Sequence, residues 1–177
     1  AEHCLGQISQ EKRLLPHVVL LSSKGLWQEA VAAARTAEND EKTPANELTS
    51  VQLVAARAAW SAATKSAQTL GESDGLPLSG AVGTHIASAR EAWDLAVKTL
   101  EGLRQQNWPP NVELISPTVC GVAGVLGTHE RALELLSAAA SQRPLYKDLQ
   151  HDLELLAIGA HKPMVALEAN LRQESSN

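Results

Sequence analysis

A period of about 33 residues runs through this chain and constrains its fold more than any other feature. Prolines recur with gaps of 33, 33 and 34 residues, at Pro44, Pro77, Pro110 and Pro144. Fourteen residues before each of the first three prolines lies an alanine, and three residues before each alanine lies a tryptophan. The three pairs are Trp27 with Ala30, Trp60 with Ala63, and Trp93 with Ala96. A fixed period of this length indicates a stacked array of helical repeats, and such arrays mostly present surfaces for binding.

The period divides the chain into five blocks. They lie within one helical-repeat domain of residues 1–177 and span 11–44, 45–77, 78–110, 111–144 and 145–177. Each block is predicted to hold two helices, A then B. The sequence leaves open whether the array continues beyond either end of this chain.

The tryptophan and the alanine of each pair are predicted to fill the contact between helices. In the fourth block, His129 and Ala132 take their places. Residues three apart share one face of a helix, so Trp93 is predicted to be buried between its own helix pair and a neighbouring repeat. Gly25 and Gly127 are predicted at the turns from helix A to helix B, because glycine readily ends a helix in left-handed backbone.

Composition supports an all-α fold, specifically a right-handed α-solenoid of about five helix-turn-helix repeats. Only five residues are aromatic, with no phenylalanine, and alanine and leucine, both strong helix formers, fill the apolar positions. The formal net charge is −5, which argues against strong non-specific nucleic-acid binding. Two cysteines, Cys4 and Cys120, are too few for a disulfide framework or a zinc site. We therefore expect no cofactor, no metal and no membrane partner.

The same residues resemble pentatricopeptide repeats. The segment from Gly25 to Ala30 resembles a Gly-x-Trp-x-x-Ala variant of protist organelles, and Pro110-Asn111 resembles the step that ends a repeat. The resemblance implies RNA binding in mitochondria or plastids. It points to a structural component of a mitochondrial ribosome or an RNA-processing complex. The alternative is a tetratricopeptide-like scaffold that binds proteins without RNA.

The resemblance also implies where bases would be read. The family uses a polar residue near the start of helix A and the last residue of a repeat. Here Asn111 has the expected type, and Ser116 would serve if the register slips by one, whereas Leu15 and Leu48 are apolar. Trp108 lies outside the tryptophan register, beside two prolines, and is the better candidate for a contact surface. RNA contact is therefore expected through backbone or shape rather than through base readout.

No catalytic pattern is present, so the protein is predicted not to be an enzyme. There is no His-Glu-x-x-His, and the glycines from Gly121 to Gly127 lack the Gly-Lys-Ser/Thr ending of a phosphate loop. The last block instead carries an apolar stripe. Its members are Leu153, Leu155, Leu156, Ile158, Val165, Leu167 and Leu171. A terminal repeat normally has a polar outer face, so this stripe is predicted to be covered by a protein of a larger complex.

Overall fold

The structure is a computed structural model, and it describes residues 14–72, 79–109, 112–142 and 147–162. These residues form seven α-helices and no strand: α1 (Leu14–Ser23), α2 (Trp27–Glu38), α3 (Ala45–Glu72), α4 (Ser79–Gln105), α5 (Val112–Leu126), α6 (His129–Gln142) and α7 (Lys147–Gly159). The predicted all-α fold class is confirmed.

The helices are arranged in two layers. Each odd-numbered helix contacts the next odd-numbered one, so α1, α3, α5 and α7 lie side by side. Helices α2, α4 and α6 lie on the other side, and α4 contacts α6. The largest interface joins α3 and α4, the two long central helices. At 1.5 Å per residue each of these is about 40 Å long.

Two predicted turns are where the sequence placed them. Gly25 has φ 74° and Gly127 has φ 70°, the left-handed backbone in which a side chain is strained. After each glycine the backbone folds back on the helix just completed. The Leu26 N–H donates to the Leu21 carbonyl over 3.0 Å, and the Thr128 N–H donates to that of Ala123 over 3.1 Å. This bond is typical of a glycine-ended helix, and it separates α1 from α2 and α5 from α6.

The prediction of two helices in each of the second and third blocks is wrong. Each of these blocks forms one continuous helix, α3 or α4. Two residues before the tryptophan, where the first block has Gly25, these blocks have Ala58 and Glu91. Neither residue takes up left-handed backbone cheaply, and both favour helix. The chain therefore runs on, and blocks two and three together make a single helical hairpin.

The fifth helix contains a proline in its interior. Helix α5 starts at Val112, so Ser116 lies in its interior and Pro117 is an internal proline. A proline has no N–H to donate, and the carbonyl of Glu113 therefore lacks its usual partner. The helix continues because its inner face, which includes Ile115, Ser116 and Val119, is fully buried.

The core is built mainly from small side chains. Ala30, Ala63, Ala96 and Ala132 each have 0% exposure. They lie on α2, α3, α4 and α6. Small residues let helix axes approach closely, and larger side chains such as Leu95 and Leu100, also fully buried, fill the space between.

The apolar stripe of the last block is divided between two environments. Leu153 and Leu156 are buried against the rest of the protein, whereas Leu155 is 46% exposed and Ile158 is 58% exposed. Val165, Leu167 and Leu171 lie outside the described residues.

Candidate partner-binding groove

Two of the three residues predicted to contact RNA are buried. Ser116 is fully buried and Trp108 is only 4% exposed, so the expectation that Trp108 provides a contact surface is wrong. Asn111 lies outside the described residues. The reason for the burial of Trp108 is a helix cap. Asn107 takes φ 58°, and the Trp108 N–H then donates to the Leu103 carbonyl over 2.8 Å. A hydrophobic residue in this position commonly packs back on its helix.

The aromatic residues of the repeat are half-buried rather than enclosed. Trp27, Trp60 and Trp93 all pack against the core without being fully buried. Trp93 was predicted to be buried between helices, and its burial is only partial. Trp60 lies directly over Gly121 of α5. His129, which takes the place of the tryptophan in the fourth block, lies directly over Gly159 of α7. A Cβ atom at either glycine would overlap the ring.

A groove of about 510 Å³ lies between α1, α2 and α3. Apolar atoms of Val19, Trp27 and Val54 line part of it, together with two alanines of α3. Arg57 and Lys65 line the remainder, beside three serines. Its volume is within the range of clefts that bind small ligands.

The two cations of this groove are free to bind a partner. Arg57 and Lys65 are exposed. Among the residues whose side chains the structure describes, no carboxylate forms an ion pair with either of them. Arg57, Ser61 and Lys65 are spaced by four residues along α3, so they share one face. The Cα atoms of Arg57 and Lys65 are about 12 Å apart along the helix axis. The groove therefore offers two unneutralised positive charges beside apolar surface.

On the other side of α2, the cations Arg35 and Lys98 are both paired with carboxylates. Arg35 of α2 bonds to Glu91 of α4 over 2.9 Å and to Asp94 over 2.5 Å, and Lys98 of α4 bonds to Glu38 of α2 over 2.5 Å. Burial alone would lower the pKa of Arg35, but the hydrogen bonds to Glu91 and Asp94 outweigh it and raise the pKa. Exposed pairs of this kind contribute about 0–1 kcal/mol each. This network of two cations and three carboxylates joins α2 to α4, and both of its cations are paired.

A second groove, of about 460 Å³, lies between α2 and α4, on the opposite side of Trp27. It is lined by Val31, Arg90 and Glu91 among others. Trp27 contributes to both grooves. Because Glu91 lies beside Arg90 in the second groove, the groove between α1, α2 and α3 is the more positive of the two.

A buried polar cluster lies between α5 and α7. Asp152 is 8% exposed, and burial raises its pKa, although Ser116 and His151 oppose part of the rise. The Cys120 thiol lies 3.9 Å from the Asp152 carbonyl oxygen. Burial and the negative charge of Asp152 raise the pKa of Cys120 to about 11. At neutral pH this cysteine is therefore a thiol, whereas nucleophilic cysteines act as thiolates.

The described part of the chain offers neither a metal-binding group nor a membrane-spanning helix. No group of three or more His, Cys, Asp or Glu side chains there could hold a metal ion. Within the same ranges no helix is both long and apolar enough to cross a membrane.

Comparisons with known proteins identify no relative. No family model matches the chain, and no curated protein or solved structure matches it at a significant level. A functional proposal therefore rests on the repeat pattern of the sequence and on the geometry described above.

The groove residues did not stand out in the sequence. Arg57, Ser61 and Lys65 repeat every four residues, a spacing that marks one helical face. That signal depends on treating 45–72 as one helix, because a turn near Ala58 would place Arg57 and Lys65 on different helices.

Proposed function

We propose that this chain is a non-enzymatic helical-repeat protein, a right-handed solenoid that serves as a structural, RNA-associated component of an organellar RNA machine. A mitochondrial ribosome or an RNA-processing complex is the setting that its resemblance to pentatricopeptide repeats favours. In this proposal the solenoid units are the helix pairs α1–α2, α3–α4 and α5–α6, with α7 beginning the next.

One observation carries the structural role. The alanine of the repeat is fully buried in four different helices, α2, α3, α4 and α6. The recurring alanines thus lie at contacts between helices, and the repeat period specifies the helical framework of the protein. In a framework of this kind the variable outer surface is what contacts partners.

In this proposal the protein contacts the backbone of the RNA or recognises its shape, rather than reading its bases. The positions that the family uses to read bases include Leu15 and Leu48, which are half-buried and apolar. Neither can hydrogen-bond a base through its side chain. Ser116, the polar residue next to another such position, has no exposed surface.

Crosslinking in the native assembly tests the proposal. The protein would be isolated with its complex from fractionated cells, irradiated with ultraviolet light and digested, and RNA-linked peptides would be identified by mass spectrometry. We expect co-fractionation with mitochondria and crosslinked peptides from this chain. A complex whose sedimentation is unchanged by ribonuclease, and from which no crosslinked peptide of this chain is recovered, would contradict the RNA part.

The groove between α1, α2 and α3 favours a second candidate, a protein-binding scaffold without RNA. Two free cations beside aliphatic surface suit a protein segment as well as a nucleic acid. Ribonuclease treatment separates the candidates, because only the first loses its assembly when the RNA is removed.

A further inference from the structure

We propose that the groove between α1, α2 and α3 binds an acidic segment of a partner protein, with an apolar side chain of that segment against Val19, Trp27 and Val54. The carboxylates of the segment pair with Arg57 and Lys65. This inference rests on the scaffold role proposed above and is independent of RNA binding.

The positive charge of the groove favours an acidic segment as its ligand. The protein carries a net charge of −5, yet this groove presents Arg57 and Lys65 with no carboxylate paired to either among the described side chains. An acidic segment is therefore attracted to this groove, although the protein as a whole is negatively charged. Complementary charge of this kind fixes position and register at an interface. The separation of about 12 Å between the two cations suits carboxylates several residues apart on one segment.

The lining of the groove favours a protein over RNA. Proteins that bind nucleic acid tightly neutralise many phosphates, commonly about 6–10, and this groove supplies two cations. Its apolar part includes the aliphatic side chains Val19 and Val54, which complement an aliphatic side chain. A volume of about 510 Å³ accommodates a short segment rather than a whole domain.

Fluorescence anisotropy with designed peptides tests the inference on the full chain. The probe is a fluorescein-labelled peptide of about 12 residues with four glutamates around a Leu-Leu pair. Its control replaces the glutamates by glutamine. We expect the acidic probe to bind at least about tenfold more tightly than the glutamine version, and to weaken as salt screens the charges.

Charge-reversal variants locate the binding. The double variant Arg57→Glu with Lys65→Glu should bind the acidic probe about tenfold or more weakly than the wild type does. The matched control is Lys42→Glu with Arg104→Glu, which changes the net charge by the same amount at exposed sites outside the groove. It should change the affinity by less than about twofold. All four residues are exposed, and unchanged melting curves by circular dichroism would establish that both variants fold.

Three results would overturn the inference: equal affinity for the acidic and glutamine peptides, equal loss in the two double variants, or no binding of the acidic probe. A uridine oligonucleotide of about 12 bases provides the competing occupant. If it displaces the probe and binds more tightly, with the same dependence on Arg57 and Lys65, the groove is a nucleic-acid site and the protein-segment proposal fails. RNA crosslinks in the native assembly would be unaffected by a negative peptide result, so the two proposals fail separately.

Discussion

Substituting Gly121 by alanine should destabilise the protein, whereas the same change at Gly124, one turn away on α5, should stabilise it. Both glycines lie within the helix. A Cβ atom at Gly121 would overlap the indole of Trp60, while a Cβ at Gly124 meets nothing within 4 Å. Alanine in place of a helical glycine gains about 0.5–1 kcal/mol of helix propensity. That gain is common to both sites, so their difference isolates the contact with Trp60.

The size of the difference follows from the packing. Overpacking a well-filled contact costs about 1–3 kcal/mol. Trp60 is half-buried, so its ring can shift partly, and the overpacking cost is expected in the lower half of this range, at about 1–2 kcal/mol. After the propensity gain is subtracted, Gly121→Ala should lower the free energy of unfolding by up to about 1.5 kcal/mol, whereas Gly124→Ala should raise it by up to about 1 kcal/mol.

Urea unfolding followed by far-ultraviolet circular dichroism measures both variants. A double-mutant cycle with Trp60→Ala completes the experiment, because removing the indole should make Gly121→Ala stabilising again. A coupling energy of at least about 1 kcal/mol between positions 60 and 121 is expected. Equal stabilisation by Gly121→Ala and Gly124→Ala would refute the contact between Gly121 and Trp60, and with it the packing of Trp60 against α5.

Three further stability measurements follow from the same structure. Gly25→Ala should cost about 1 kcal/mol, since Gly25 has φ 74° with open space around it and the penalty is purely conformational; Gly83→Ala, in an equally open helical position, is the control that should not destabilise. Trp93→Ala should cost about 1.5–3 kcal/mol in chemical denaturation, less than the ~3–5 kcal/mol of an enclosed tryptophan, because the side chain is half-buried. Leu155→Glu should change the unfolding free energy by no more than about 0.5 kcal/mol, because Leu155 is 46% exposed; a loss above 2 kcal/mol would show that the residue is covered.

Much of the helical framework was predictable from local signals. The alanine period predicted the buried face of four helices, because an alanine at the same position of each repeat faces the core in each helix. Gly25 and Gly127 predicted two turns, since only glycine takes their backbone angles cheaply. The same rule, applied to Ala58 and Glu91, indicates uninterrupted helix in blocks two and three. The error there came from extending the period over positions that lack the residue on which the turn depends.

The candidate groove could not be predicted in this way. Val19, Trp27 and Arg57 belong to three different helices, and they come together only because α1 and α2 both pack on α3. Sequence spacing specifies which residues share a face of one helix, and it carries no information on which faces meet. Trp108 illustrates the same limit, because a surface-like position next to two prolines became buried through the cap at Asn107.

The buried carboxyl of Asp152 should make stability depend on pH. Its pKa is raised by burial, so the folded state holds this proton more tightly than the unfolded state does. Stability should therefore rise as the pH falls from neutral through the raised pKa, and should level off below the ordinary pKa of an aspartate. Asp152→Asn removes the charge and should increase stability at neutral pH by about 1 kcal/mol.

The comparison of wild type with Asp152→Asn across pH isolates this carboxyl, because every other titrating group is shared by the two proteins. The variant's advantage should be largest near neutral pH and should shrink steadily towards acid. A His151→Gln background tests the neighbouring charge: His151 opposes the rise in the pKa of Asp152, so without it the advantage of Asp152→Asn should be larger. An advantage that stays constant over the whole range would mean that the Asp152 carboxyl is ordinary, and that its place between α5 and α7 is better solvated than its 8% exposure indicates.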